Sequence, residues 1–437
     1  MRGSIDCRTL QISLIDMRLP PFTAVLRFSF YLLMAMGLFI VGTSDYRPSY
    51  VDRVIAPFKY SLLEWELGHI SDKWIYRLKD SVFGYPSADR RTSLVEVREY
   101  FELGKTLNHL RPSVIDNQVE IPHVLSNERK VDSKTEALKL IQNKREILKD
   151  RVEETIENEI WEVLRSLQLS STIGIWPPVD VVFSGAPHVL VISPRDEIAL
   201  KYTALLTYGL TPGQKSYIED KVGLLENHSV IVEDLGGVAV YPSVVSEQLG
   251  IRRSLVVAAH EWLHHWFFFK PLGQRFWTSN EMTILNETVA TIAGEEIGRL
   301  VYSRINQEMD DGSSSLAAGV PETSYNQSFD TVMRETRKQV GALLSEGRIE
   351  EAEDYMAQRV LLFRENGYYI RKLNQAYFAF HGMYGTSAAS ASPIGEQVRL
   401  LRSETSSLQE FLRLVSSFKD YEEFVRHLES LDQNDQS

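Results

Sequence analysis

The chain has 437 residues, of which 43% are apolar, 24% charged and 10% aromatic, enough to fill a large core and too apolar for wholesale disorder. Its net charge of -12 provides no basic face for general nucleic-acid binding, so no nucleic-acid partner is expected. A single cysteine, Cys7, excludes an intrachain disulfide, a zinc finger and a CxxC redox motif, and leaves any metal site to histidines and carboxylates.

The first predicted element is a membrane anchor. Phe22 to Val41 reads FTAVLRFSFYLLMAMGLFIV, about the length that crosses a bilayer as a helix. Arg27 interrupts the run and can snorkel to the interface. No A-x-A cleavage site follows, and the segment reads as an uncleaved anchor. Residues 1–44 are thus tail and anchor, and the expected protein is single-pass, with its main domain extracytoplasmic.

Residues 45–175 read as a helical region. Helices are expected over Tyr60–Lys79 and Arg91–Leu110. A long amphipathic helix is expected over Ser133–Leu167, where Ile141, Leu148, Val152, Ile156, Ile160 and Leu164 recur at helical spacing. Its apolar stripe needs a partner, so it should pack on the domain as a strut.

Residues 176–437 open with Trp176-Pro177-Pro178. Val179–Ser184 and His188–Ser193 flank Gly185-Ala186-Pro187, which reads as strand, turn, strand. A helix should start at Thr211-Pro212 and run to Asn227. Ser229–Val232 and Gly237–Tyr241 read as two more short strands. From Ile251 the pattern is almost wholly helical, broken at Pro271–Gly273, Gly312–Tyr325 and Ala388–Ile394. The predicted class is α+β, predominantly helical, with a small twisted sheet upstream of the helices.

The chemistry sits in LVVAAHEWLHHWF, residues 255–267. His260-Glu261-Trp262-Leu263-His264 is an HExxH sequence. On a helix, residues four apart share a face, so the imidazoles of His260 and His264 can converge on one ion. Glu261 lies at the same edge, within reach of a water at that ion. His265 points about 100° away. A third ligand is required. Phe267 and Lys270 stand where a metzincin would carry Gly and His, which excludes that class. Downstream, Glu287 is followed by Ala290, Thr291 and Gly294, a stripe of small residues that permits close helix approach.

These motifs resemble those of the gluzincin zinc metallopeptidases, which pair HExxH with a later glutamate often preceded by Asn, as in Asn286-Glu287. The resemblance spans residues 255–297. It implies a zincin-like catalytic domain in which one Zn2+ is held by His260, His264 and Glu287, with Glu261 as general base and a peptide or protein as substrate. Many members carry an acidic residue four positions after the ligand glutamate, where this chain has Thr291. Such enzymes also place an edge strand before the zinc helix, a position that Val238–Tyr241 fits. For a group that stabilises the oxyanion, Tyr377 and His381 share a helix face with Asn374, and Tyr368, Tyr369 and Tyr384 lie close by in sequence. Two other readings compete: a non-catalytic membrane-anchored helical protein with a fortuitous HExxH, and a zinc hydrolase acting on non-peptide substrates.

Overall fold

The computed structural model describes residues 48–62, 65, 89–118, 128–169, 175–309 and 326–434. The chain separates into two compact units, Met1–Ser49 and Tyr50–Ser437, and every element below belongs to the second. The predicted anchor, most of the helix expected after Tyr60 and the Gly312–Tyr325 loop lie outside the described residues. Among the described residues no helix is long and apolar enough to cross a membrane.

The fold is α+β and mostly helical. A short helix α1 (Tyr50–Ile55) and a 3-10 turn (Ala56–Phe58) precede two long helices, α2 (Arg90–Gln118) and α3 (Glu128–Ser166). On α3 the predicted stripe is the buried one from Leu148 onward: Leu148, Val152, Ile156, Ile160 and Leu164 all enter the main core, while Ile141 is half-buried. The helix is a strut packed on its own domain, because that stripe would otherwise face water. Its buried Glu159 accepts from Arg90 Nε at 2.7 Å and from Arg304 Nε at 2.9 Å.

Two three-stranded sheets follow. The strands are β1 (Val181–Ser184), β2 (His188–Pro194), β3 (Tyr202–Leu206), β4 (His228–Asp234), β5 (Gly237–Val238) and β6 (Ser243–Ser246). One sheet has the order β1-β6-β5 and the other β3-β2-β4. Helix α4 (Pro212–Glu226) lies between β3 and β4 in sequence and begins with a capping box, Thr211 to Gln214. It ends at Asn227 in the left-handed region, φ 52°.

The expected strand-turn-strand unit is corrected here. β1 and β2 do not pair: β1 runs parallel to β6, Val181 opposite Ser243, while β2 pairs antiparallel with β3 and β4. The outer edge of β1 is covered by α3. Glu157 Oε1 accepts from Val181 N at 2.9 Å, and Glu153 Oε1 accepts from Phe183 N at 2.7 Å.

The rest is helical: α5 (Ile251–Phe268), α6 (Pro271–Gln274), α7 (Asn280–Met309), α8 (Asn326–Ser345), α9 (Ile349–Glu365), α10 (Gln375–His381), α11 (Ile394–Glu404), α12 (Leu408–Val415) and α13 (Tyr421–Asn434). Helices α5 and α7 form the centre, with Leu255, Ala259, Leu263, Val289, Ala290 and Ala293 buried between and around them. A Cβ on Gly298 would sit 2.8 Å from Val256 Cα, and one on Gly294 would sit 3.1 Å from His260 Cα. The small residues on α7 therefore set how near the two helices lie.

Candidate functional site

The close approach of α5 and α7 brings the predicted ligands together. His260 and His264, one turn apart, place their Nε2 atoms 3.0 Å from each other. Glu287 Oε2 lies 3.5 Å from His260 Nε2 and 3.6 Å from His264 Nε2. Donors about 2.0–2.1 Å from a tetrahedral zinc lie roughly 3.3–3.4 Å apart, so these three atoms match one triangular face of such a site. Glu287 Oε2 is buried and has no hydrogen-bond partner, which suits a lone pair meant for a cation. The donor set therefore fits a zinc ion with one coordination position open.

Orientation of His264 comes from the residue before the glutamate. Asn286 Nδ2 donates to Leu272 O at 3.3 Å, and that fixes which way its amide points. Asn286 Oδ1 then faces His264 Nδ1 at 3.1 Å. In the metal-binding form a proton on Nδ1 would bond that oxygen and leave the Nε2 lone pair directed at the ion.

Electrostatics in the cluster follow from its geometry. Burial works to raise the Glu287 carboxyl, but His264 and His260 together outweigh it and hold it well below the usual carboxylate range. Burial alone would lower His264; the Glu287 charge overrides it and lifts the imidazole to about 9. Glu261, buried on the same helix, is pushed up by desolvation, against the pull of His260 and His264.

The three donors and Glu261 line a cleft of about 450 Å³. Across it stands the terminal strand β5, whose residues Gly237 and Val238, with Ala239, form part of the wall. Gly237 is needed there, because a Cβ would lie 2.7 Å from Glu261 Oε1 and 2.6 Å from Val257 Cγ1. His265 faces this segment. It interacts with the backbone of Ala239 and Val240, its ring lies 5.6 Å from that of Tyr241, and burial lowers it to about 4. It holds the segment that follows β5.

The remaining walls are largely apolar: Leu200, Leu205, Phe276, Trp277, Phe380 and Met383 contribute. Tyr384 completes the site. It lines the cleft, and burial together with the charges of Glu287 and Glu261 raises its phenol well above the usual range, so it stays protonated and able to donate. Gly385 N donates to Thr288 Oγ1 at 2.9 Å, which ties this turn to the ligand helix. Tyr377 and His381 are not among the cleft-lining residues. Their rings lie against each other, tilted by 41° with centroids 4.2 Å apart, and Tyr377 packs into the neighbouring apolar clusters. Sequence reasoning named Tyr384 only as a neighbour. The signal that singles it out is its place in the Gly382–Gly385 turn, just past the helix.

Comparison with family models, curated proteins and solved structures returns no match for this chain.

Proposed function

We propose that this chain is a zinc-dependent metallopeptidase of the gluzincin type, held at a membrane by residues 22–41 with its main domain extracytoplasmic. The observation that carries the reading is the meeting of His260, His264 and Glu287 within 4.8 Å of one another, in a cleft they share with Glu261 and a strand edge.

A zinc ion held by these three side chains supplies Lewis acidity, polarising a carbonyl and making water acidic enough to ionise near neutral pH. The protein's own groups do the rest. Glu261 accepts a proton from the attacking water and returns it to the leaving amine, a role suited to a carboxylate whose pKa burial has raised. Tyr384 donates to the developing oxyanion. β5 offers backbone groups to an extended substrate, which favours a peptide over a compact small molecule.

The test is zinc stoichiometry and peptide cleavage on the parent, Glu261→Gln and His264→Ala. Glu261→Gln should keep its zinc and lose cleavage by about 10²–10⁴-fold. His264→Ala should lose both. A parent chain that binds no zinc would return the protein to the non-catalytic reading, and a zinc-loaded parent that cleaves only non-peptide esters or amides would favour the third.

A further inference from the structure

A band of exposed aromatic side chains borders the cleft. Phe268 is 69% exposed, Phe269 52%, Trp277 83% and Trp176 52%. Phe268 and Phe269 rings lie 5.2 Å apart, Phe269 and Trp176 6.3 Å, and Phe276 and Trp277 4.6 Å. Phe268, Phe276 and Trp277 also line the cleft, so the band is continuous with its mouth. An exposed group of large aromatics marks a contact surface.

Charge identifies what that surface meets. The chain carries 59 acidic residues, yet none occurs from Trp262 to Asn280. Lys270 and Arg275 stand in that interval. Arg275 is exposed, and Lys270 Nζ lies 4.9 Å from the Trp266 ring centroid. Within that interval tryptophan and phenylalanine stand with cations and without acids, the composition that settles at the boundary between acyl chains and anionic headgroups.

We propose that the band formed by Trp176, Phe268, Phe269 and Trp277, with Lys270 and Arg275, rests on the surface of an anionic lipid bilayer. This contact uses residues other than those of the predicted anchor. It stands on the exposed surface alone and does not require the metal-site reading.

The experiment uses the full-length chain in vesicles of brominated phosphatidylcholine, with and without phosphatidylglycerol, and reads quenching of tryptophan fluorescence. Trp176→Phe/Trp277→Phe should lower the lipid-quenched signal roughly twofold, because Trp262 and Trp266 are buried. Parent quenching should rise when phosphatidylglycerol is added, and Lys270→Glu/Arg275→Glu should abolish that rise. A double tryptophan variant quenched as strongly as the parent would overturn the proposal. So would parent quenching indifferent to phosphatidylglycerol, the result expected if the band instead docks a protein. Peptide cleavage is not read in this assay, so its outcome is independent of the fate of the peptidase reading.

Discussion

The side chain of Asn286 aligns His264, with Oδ1 at 3.1 Å from Nδ1. Adjacent residues on one helix thus share the work: Asn286 orients one proposed zinc ligand, His264, and Glu287 is another. Asn286→Ala should weaken zinc affinity by about 10–100-fold, the usual cost of losing a partner that orients a metal-binding histidine. Asn286→Asp keeps an acceptor and should retain most of the affinity. Competition with a chromophoric chelator measures both.

Helix separation should be as important as side-chain chemistry. Gly298→Ala places a methyl 2.8 Å from the Val256 backbone, and overpacking of that kind costs about 1–3 kcal/mol. Urea denaturation should show the loss. Gly294→Ala meets the His260 backbone at 3.1 Å and should lower zinc affinity more than stability, because it moves Glu287 away from the histidines. Equal stability of Gly298→Ala and parent would mean the helices have room to spare.

Tyr384→Phe should lower kcat by about 10²–10³-fold while KM changes little, as expected for a donor whose bond forms in the transition state. Tyr377→Phe should leave kcat within a few fold. Steady-state kinetics on a peptide substrate distinguishes the two tyrosines, and the reverse order would transfer the oxyanion role to Tyr377.

Glu233 on β4 makes stability depend on pH. Burial pushes its carboxyl up to about 7, and Asp234 and Glu219 add to the rise while Arg371 and Lys215 oppose it. Between about pH 4.5 and 7 the folded chain holds a proton that the unfolded chain has released, so this group's contribution to stability falls as pH rises through the window. Glu233→Gln removes the titration. Relative to the parent it should be more stable at pH 8 than at pH 5, by up to about 3 kcal/mol. Denaturant curves at the two pH values check this, and an equal difference at both would show that Glu233 titrates normally.

Helical periodicity made most of the site legible in the sequence. The i, i+4 histidines and the run of small residues after Glu287 are properties of single helices, and each carries its own geometry. The long helix α3 was legible for the same reason. The strand partners were not. Gly185-Ala186-Pro187 is a sound local turn signal, but Val181–Ser184 finds its mate in Ser243–Ser246, beyond Pro242 and some sixty residues away, and no local rule encodes that. Tyr384 was obscure because it sits one turn past the end of α10, where a helical wheel no longer applies. The bond from Gly385 to Thr288, which holds it, joins residues far apart in the chain.

The carboxylates of Glu153 and Glu157 on β1 have counterparts elsewhere. On β4, Glu219 Oε1 accepts from Val232 N at 2.8 Å, and Arg371, Lys372 and Asn374 donate to the carbonyls of Val232 and Val230. On β3, Thr207 N bonds to Phe58 O at 2.7 Å just past the strand end, and Tyr60 N bonds to Leu205 O at 3.0 Å. Among the described residues the margins of β1 and β4, and the Leu205 end of β3, are therefore occupied from within the chain, while the short β5 margin borders the cleft, where the proposed substrate strand would add. A protein that works by adding an extended chain to a sheet risks polymerising with itself, since bare margins pair indiscriminately. Here self-templating is blocked along β1 and β4 by carboxylates that take up strand N–H groups, and the β5 margin in the cleft is only two residues long.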